Sequence, residues 1–598
     1  MRPLRRTPRA LLAACATPLL AVAALPGTAQ AAPAPFRVEE ATVASISAAF
    51  ADGSLTCQGL VLAYQQRIAA YESSGPAINS LITLAPDLMK QAKALDKAYK
   101  KARGLVGPLH CIPVVLKDNI DTKGLQTTAG SKALLGSVPT RDATITADLR
   151  AAGALVLGKG NMDEWAHGGM AGYSSVNGQT LNPYGRGLSP SGSSGGPGAA
   201  IAANFAVLGI GTDTLGSLRG PISSESLSGV KTTRGLVSGA GVVPFSLTFD
   251  VAGPMTRTVS DSARMLNVIA GVDPEDPRTA AAVGKVPADY TAYLRTSALQ
   301  GARIGVVRSY VTGSNAAPVN AAIETMKGLG ATIVDGITIP ASVAALQGQY
   351  YTFISETEFK TQLGEYLAAR RPDAPVKTHA DVLAASEQPG FGIAPSVLTR
   401  LRSEAARGTL QDADYVKAAS EGPAAMRAGI DALLDANNVD ALVFATGSGS
   451  ALASLSGYPE VMTPAGKNAS GISVGLSFLG KAFTEPQLLG YAYAYEQATH
   501  ARATDTILTP QLPSVADLDA RIASLQTSIG SGTSTNLRNK LDLAQDAMAD
   551  GDAAQAVRAL TQFVEHAQRR VTSSAALGVV VSDARALISQ LQAVATLK

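Results

Sequence analysis

Short apolar runs alternate with helical patterns from about residue 38 to residue 505 of this 598-residue chain. Several segments have the apolar character of buried strands: 111–116, 154–157, 303–307, 331–334, 440–444 and 472–478. Others, such as 60–71 and 259–269, carry apolar residues three or four positions apart, as one face of a helix does. The stretch from 341 to 430 is more helical and polar. This alternation predicts an α/β fold, in which a mixed central sheet is flanked by helices in one unusually large domain.

One apolar run ends in a lysine, in the sequence Val114-Val115-Leu116-Lys117. A lysine at the end of a buried strand is partly desolvated, which lowers the pKa of its amine and leaves the amine free to act as a base. A lysine taken alone is far more often a solvated surface residue. The apolar run before Lys117 and the polar pair Asp118-Asn119 after it favour a role in chemistry.

Two glycine-rich loops follow, at residues 191–196 (Ser-Gly-Ser-Ser-Gly-Gly) and 211–217 (Gly-Thr-Asp-Thr-Leu-Gly-Ser). Each loop offers small side chains, free backbone N–H groups and hydroxyls. Glycine- and serine-rich runs are usually flexible linkers. Here the first loop runs into the apolar segments 199–203 and 206–210, which linkers do not usually do. With Lys117, the two loops provide a base, a relay hydroxyl and a nucleophile without histidine.

The order of these motifs resembles that of the amidase signature family of Ser-Ser-Lys amide hydrolases, closest in pattern to bacterial secreted and peptide amidases. The resemblance rests on Lys117, on Ser193 and Ser194 between glycines, and on Ser217 at the end of the second loop. Supporting stretches are residues 107–110, 161–165 and 474–480. The likeness covers residues 38–505 and implies a catalytic domain that hydrolyses a C–N amide bond without a cofactor.

By this resemblance, Ser217 is the nucleophile that forms an acyl-enzyme, Ser193 is a bridging serine held by a cis peptide bond, and Lys117 is the base. Ser193 passes the proton of Ser217 to Lys117, and a proton later returns to the leaving nitrogen. Backbone N–H groups before and at the nucleophile are expected to form the oxyanion hole: Thr214, Leu215, Gly216 and Ser217. The substrate stays open between C-terminal peptide amides and aryl or fatty amides.

Positions close to Ser217 leave alternatives. The family usually has two glycines before the nucleophile, whereas this chain has Leu215-Gly216. If position 215 needs a positive φ, the leucine is strained. Otherwise its side chain projects into the acyl pocket and narrows it, which is the interpretation we favour. Asp213 and Arg219 match a pair that braces the loop through an ion pair, and the rival role for Arg219 is to bind a substrate carboxylate.

Two other functions fit parts of the sequence. Residues 192–196 satisfy the G-x-S-x-G pattern, in which Ser194 is the nucleophile of an α/β-hydrolase-type esterase. That pattern needs a strand before it, and residues 182–190 have the composition of a loop. A non-catalytic binding protein on an inactive amidase scaffold is the second alternative, favoured only by Leu215. Asp163 and Glu164 are expected to be the exposed start of a helix, without a catalytic part.

Residues 1–31 have the pattern of a secretory signal peptide. Four arginines lead into an apolar segment from Ala10 to about Leu25, and Ala29-Gln30-Ala31 provides a cleavage site after about Ala31. We therefore expect a secreted protein. No other stretch has the length of a membrane span. The net charge of +3 includes those four arginines, so the remaining chain is nearly neutral and has no electrostatic attraction for nucleic acid.

Removal of the signal segment leaves two cysteines, Cys57 and Cys111. An even pair in an oxidising compartment indicates a disulfide, and two buried free thiols are the alternative. No cluster of cysteines and histidines has the spacing of zinc ligands, so no metal site is expected.

The composition changes after Arg502, and residues 513–598 form a second region. Four helical segments there carry apolar faces: Leu518, Ile522, Leu525 and Ile529; Leu537, Leu541, Ala544 and Met548; Ala556, Leu560, Phe563 and Val564; Ala584, Leu587, Ile588 and Leu591. They predict a small helical bundle, similar to modules at the C-termini of secreted bacterial hydrolases. Its role stays open between a stabilising appendage and attachment to a cell wall, a polymer or a partner.

Overall fold

The computed structural model describes residues 36–73, 75–508, 515–549, 552–569, 580–581, 583–585 and 587–588. The signal peptide predicted for residues 1–31 lies outside the described residues. The segment 509–514 and most positions after 569 lie outside them as well.

A large mixed sheet is the centre of the fold. The strands of the described residues are β1 Leu81–Leu84, β2 Pro113–Lys117, β3 Leu155–Gly160, β4 Tyr173–Ser174, β5 Gly178–Gln179, β6 Leu208–Asp213, β7 Ser228–Lys231, β8 Val251–Thr256, β9 Arg303–Val307, β10 Thr332–Ile337, β11 Ala441–Ala445, β12 Glu460–Lys467 and β13 Ser473–Leu479. Eleven of them form one sheet in the order β1-β3-β2-β6-β8-β7-β12-β13-β11-β9-β10, and β4 pairs with β5. Parallel and antiparallel pairs both occur in the large sheet, as predicted.

Helices flank this sheet. Their bounds are Val43–Ala51, Cys57–Tyr71, Leu88–Ala102, Thr144–Ala151, Gly195–Ala202, Arg219–Ser224, Val259–Ile269, Ala316–Gly328, Ala341–Ala344, Thr352–Arg370, His379–Ser386, Pro395–Ala405, Ala413–Ala436, Ser450–Ser456 and Glu485–Thr499. A π-helical turn, Gln347–Tyr351, precedes the helix Thr352–Arg370. Within the described part of the chain, no helix combines the length and the apolar character that crossing a membrane requires.

The strand segments predicted from the sequence are confirmed. The bounds agree for 303–307, and the other five predicted segments differ from the observed strands by one to three residues at an end. The predicted helix 259–269 is observed with the same bounds, and the helix predicted from residue 60 begins at Cys57. The stretch 341–430 is mainly helical, as expected.

Four neighbouring strands in the sheet, β3, β2, β6 and β8, are buried along their whole length. Strands covered on both faces give continuous apolar runs, which explains why these segments stand out in the sequence. β3, β2 and β6 run parallel to one another, so their carboxyl ends meet at one edge of the sheet. The segments that leave this edge are 161–163, 118–119 and 214–217.

The C-terminal region is helical, with helices Val515–Ser524, Gln526–Ile529, Ser531–Ala549 and Ala553–Gln568. An apolar cluster links them to the described residues after 580: Leu518, Ile522, Leu537, Leu541, Ala544, Ala559, Leu560, Phe563, Val564, Ala567, Val580, Val581, Ala584 and Leu587. The prediction that Met548 shares this apolar face is wrong, since Met548 is 39% exposed and the neighbouring Ala547 is buried instead. Leu591 lies outside the described residues.

A disulfide joins Cys57 and Cys111. Cys57 is the first residue of the helix Cys57–Tyr71, and Cys111 lies two residues before β2. Both side chains are fully buried. The disulfide therefore anchors the strand that ends in Lys117 to a helix near the start of the described chain.

Replacing both cysteines by alanine (C57A/C111A) is expected to lower the free energy of unfolding by about 4 kcal/mol, because the disulfide closes a long loop in the unfolded chain. The two cysteines are 54 positions apart. Denaturant unfolding of the oxidised protein and the double variant measures the difference. The reduced wild-type protein is the control, because it loses the bond and keeps both side chains. A loss below about 1 kcal/mol in both proteins would contradict the expectation.

Candidate active site

Lys117 is the last residue of β2, and its side chain is completely buried. β2 lies between β3 and β6, so Lys117 has a neighbouring strand on each side. Burial lowers the pKa of Lys117 to about 7, although the carboxylates of Asp163, Asp213 and Asp250 act in the opposite direction. The desolvated lysine expected from the apolar run is therefore present.

Two residues hold the Lys117 amine. Its Nζ atom lies 2.6 Å from Ser193 Oγ and 2.9 Å from Thr212 Oγ1, with the Thr212 carbonyl oxygen at 3.4 Å. Lys117 Nζ is the donor in all three contacts. The short contact with Ser193 Oγ and the lowered pKa together make Lys117 a candidate base for the Ser193 hydroxyl.

Ser193 lies in the first glycine-rich loop, and the peptide bond between Gly192 and Ser193 is cis. Its side chain is buried. The Ser193 carbonyl accepts a hydrogen bond from the Asp163 N–H at 3.2 Å, and the Ser194 N–H donates to the Ser217 carbonyl at 3.1 Å. These two bonds connect the loop to the segment after β3 and to the loop that carries Ser217.

Ser194 does not fit the role of an elbow nucleophile. It is fully buried, and its Oγ donates to the Thr212 carbonyl at 3.1 Å and accepts from the Thr212 N–H at 3.2 Å. Residues 185–193, directly before it, contain no strand. The strand-turn-helix that the pattern requires is therefore incomplete, and the hydroxyl is engaged in fixing Thr212.

Ser217 is partly exposed, whereas Lys117 and Ser193 are buried. It follows β6 and lies two residues before the helix Arg219–Ser224. Ser217 is therefore accessible from solvent, whereas the side chains of Lys117 and Ser193 lie in the interior.

The Asp213 carboxylate shapes the turn before Ser217. It accepts hydrogen bonds from the Gly216 N–H at 2.8 Å and from the Leu218 N–H at 2.9 Å. Gly216 is thus the exception among the four residues predicted for the oxyanion hole, because its N–H already has an acceptor. Within the described residues, the N–H groups of the other three, Thr214, Leu215 and Ser217, have no hydrogen-bond acceptor.

Leu215 does not have the positive φ that would strain its backbone. The positive φ of +103° falls on Gly216, and Leu215 keeps an ordinary backbone conformation. Its side chain packs against an apolar cluster and lines a cavity of about 340 Å³. The other lining residues are Tyr310, Val343, Ala344, Gln347, Met426, Gly447, Ser448, Ser450, Ala451 and Leu452. Leu215 therefore reaches a cavity, and its narrowing of the acyl pocket stays a prediction.

Arg219 is fully buried, and all five of its N–H donors are used. Nε and Nη2 bind the two oxygens of Asp213 at 3.1 and 2.8 Å, and Nη1 binds Glu460 Oε2 at 3.0 Å. The remaining donors reach the Ser450 carbonyl at 2.9 Å and Ser454 Oγ at 2.5 Å. No donor is left for a substrate carboxylate, so the geometry agrees with the bracing role and not with its rival.

Burial alone would raise the pKa of Asp213, but the charge and hydrogen bonds of Arg219 outweigh it and hold that pKa well below its usual range. Asp213 is therefore ionised throughout the physiological range. It keeps the turn before Ser217 in one conformation, and Arg219 ties that turn to the helix Ser450–Ser456 and to β12.

Two residues of the site had no role assigned from the sequence, Thr212 and Asn119. Thr212 Oγ1 accepts hydrogen bonds from Lys117 and from Asn119 Nδ2, the latter at 3.1 Å. Thr212 stands directly before Asp213, and Asn119 stands two positions after Lys117.

Asp163 and Glu164 were expected to be the exposed start of a helix. A short 3-10 helix, Glu164–Ala166, does begin there, with Asp163 as its N-cap. The expected exposure is wrong: Asp163 is 2% exposed and Glu164 is 1% exposed, because the segment after β3 packs against the Ser193 loop.

Comparison with known proteins also identifies an amidase. The Amidase family model matches residues 59–489, and that of the FIMAH domain matches residues 515–589. A probable amidase of Arabidopsis thaliana is 37% identical over 484 residues, 78% of this chain and 91% of the plant protein.

Two solved structures extend the likeness to three dimensions. Native peptide amidase from Stenotrophomonas maltophilia has 38% sequence identity and a TM-score of 0.72, covering 79% of this chain and 99% of its own. An amidase family protein from Bacillus anthracis has 31% identity and a TM-score of 0.72, covering 78% of this chain and 92% of its own. The structural likeness therefore covers nearly the whole of each solved chain and 78–79% of this one.

Removing the buried guanidinium (Arg219→Met) is expected to lower the free energy of unfolding by about 3–5 kcal/mol, because Asp213 and Glu460 are left in the interior without their cation. The matched control is Arg308→Met, which breaks an ion pair with Asp335 whose side chains are 39% and 47% exposed. That change is expected to cost less than about 1 kcal/mol. Denaturant unfolding of both variants measures the two costs, and equal values would contradict the bracing role.

Proposed function

This chain belongs to the amidase signature family and is an amide hydrolase, and on that premise we propose that it works through an acyl-enzyme on Ser217. The observation that carries the proposal is the 2.6 Å contact between the buried Lys117 amine and Ser193 Oγ. It supplies a base with a lowered pKa and a hydroxyl through which that base acts on the partly exposed Ser217.

In the first half-reaction, Ser217 Oγ attacks the amide carbon and gives its proton to Ser193 Oγ, while the Ser193 proton moves to the neutral Lys117 amine. The carbonyl oxygen becomes an oxyanion, which the N–H groups of Thr214, Leu215 and Ser217 stabilise. The C–N bond then breaks, and the Lys117 proton returns through Ser193 to the leaving nitrogen. The product is an ester on Ser217 and a free amine or ammonia.

In the second half-reaction, water takes the place of the amine. It loses a proton through Ser193 to Lys117 as its oxygen attacks the ester carbon, and the returning proton restores the Ser217 hydroxyl. The carboxylic acid leaves. Thr212 serves both halves, because its two oxygens accept hydrogen bonds from Lys117 Nζ and hold the amine beside Ser193.

For the substrate, we propose an amide with a neutral, largely apolar group next to the scissile bond, such as a C-terminal peptide amide or an aryl amide. The cavity beside Leu215 supports this, because the residues that line it carry no charged side chain. Gln347, at the start of the π-helical turn, offers a neutral amide for hydrogen bonding to a peptide group. The similar protein from Stenotrophomonas maltophilia is a peptide amidase.

We also propose that the enzyme is secreted, with cleavage of the signal segment after about Ala31. The support lies in the sequence of residues 1–31 and in the disulfide between Cys57 and Cys111, a bond typical of oxidising compartments. For the C-terminal region, attachment to a wall or polymer and a stabilising role both stay proposals.

The identity of the nucleophile is tested by covalent labelling with a fluorophosphonate. Ser217→Ala is expected to abolish labelling, because it removes the attacking oxygen. Ser194→Ala is the matched control, with the same atom removed in the same site; it keeps the nucleophile and should still label, more slowly than the wild type because Thr212 loses its hydrogen bonds to Ser194 Oγ. Labelling that survives the first change and disappears with the second would move the nucleophile to Ser194.

The role of Lys117 is tested by pH. Its pKa is lowered and its neutral form is the active one, so kcat/KM is expected to rise with pH through about 7 and to level off in the alkaline range. Lys117→Met, which keeps the length of the side chain without the amine, should lower kcat by about 10²–10⁴-fold and remove this rise. A wild-type rate that stays flat from pH 5 to pH 9 would contradict the proposal.

A further inference from the structure

Asp163 lies against the peptide that presents Ser193 to the base. A Cβ added to Gly192 would lie 2.1 Å from Asp163 Oδ2 and 2.3 Å from Oδ1, so the carboxylate packs directly on the glycine α-carbon. The carboxylate is held there, because Oδ1 accepts the Gly172 N–H at 2.6 Å. The Asp163 N–H donates to the Ser193 carbonyl at 3.2 Å. Main chain and side chain of Asp163 thus both support the Gly192-Ser193 segment.

Three carboxylates act on the Lys117 amine, and they differ in how far their charge is already compensated. Asp213 is paired with the Arg219 guanidinium. Asp250 accepts hydrogen bonds from the Thr214 hydroxyl at 2.6 Å and from two backbone N–H groups. Asp163 has the largest effect of the three on Lys117.

The pKa of the buried Asp163 carboxyl depends on the charge of Lys117. Burial raises the pKa of Asp163 to about 7, while the Gly172 N–H and the positive charge of Lys117 act to lower it. Lys117 and Asp163 are buried groups of opposite charge type, and each favours the ionised form of the other. An ammonium on Lys117 and a carboxylate on Asp163 stabilise one another in a space that water does not reach.

We propose that Asp163 is a positioning residue for catalysis, supplying the counter-charge to the Lys117 ammonium that forms when Ser217 gives up its proton. The proposal rests on the function given to Lys117 above. Asp163 does not touch the substrate or take the proton of Ser217. It makes Lys117 a stronger base and, through its backbone, keeps Ser193 within reach of the amine.

Asp163→Asn tests the charge with little change of shape, because an amide oxygen still accepts the Gly172 N–H. Without the negative charge, the ammonium form of Lys117 loses stabilisation and its pKa falls. The acid limb of kcat/KM is therefore expected to move to lower pH by about one unit. The alkaline plateau of kcat should drop by about tenfold or more, since a weaker base accepts the proton less well.

Glu164→Gln is the matched control. Glu164 is the next residue, is equally buried and accepts the Ser175 N–H at 3.1 Å, but it is not one of the carboxylates that act on Lys117. The same change from acid to amide there should leave the acid limb in place. Fluorophosphonate labelling rates measured over the same pH range give the limb position even where turnover is slow.

Asp163→Ser carries the same test if the asparagine variant does not fold, because the smaller hydroxyl cannot collide with Gly192. A folded variant with a slower rate and an unmoved limb would overturn the proposal and leave Asp163 a structural role. A limb that moves equally in Glu164→Gln would also overturn it. If the wild-type enzyme itself shows no acid limb, the failure lies with the role of Lys117 and not with Asp163 alone.

Discussion

The exclusion of water from the Lys117 amine is the condition on which the rest of the site depends. In water this side chain is a cation at neutral pH and has no lone pair to offer. At the end of β2 it is completely buried, and that burial lowers its pKa to about 7, so that a neutral amine becomes accessible beside Ser193 Oγ. Such a site does not need histidine, because burial brings the pKa of a lysine close to the near-neutral value that an imidazole has without burial.

The sheet brings the chemical groups together before any loop is considered. β3, β2 and β6 are parallel neighbours, so the segments that leave them meet at one edge. Those segments supply Asp163, Lys117 and the turn before Ser217, and the Ser193 loop joins them through its backbone. The strands are rigid because they are covered on both faces, and the loops are short. Proton transfer needs donor and acceptor within hydrogen-bond reach, and this architecture places Lys117 Nζ 2.6 Å from Ser193 Oγ.

The sequence predicted the sheet class and much of the site, and it failed where burial is decided by other parts of the chain. Apolar runs such as 303–307 identified strands because they are buried on both faces, whereas β12 carries polar residues and glycine and gave no such signal. Lys117 and Ser193 were found because motif order carries chemistry. Asp163 was expected to be exposed, since nothing in the neighbouring sequence indicates that Gly192, 29 positions later, packs against it. The hydrogen bond from the Gly216 N–H to the Asp213 carboxylate depends on the geometry of the turn, so it could not be predicted from the sequence either.

The saturated guanidinium of Arg219 has a consequence for how this protein can vary. Asp213 belongs to the nucleophile turn and Glu460 begins a strand 247 positions away, yet both face the same buried cation. Loss of Arg219 leaves both carboxylates without their cation, whereas loss of either carboxylate leaves the guanidinium with unfilled hydrogen bonds, so the effect of a change at one position depends on the other two. The three positions are therefore coupled in their effect on stability. Variation in the pocket is free to proceed around them, at Leu215 and along the π-helical turn, where no buried charge has to be balanced.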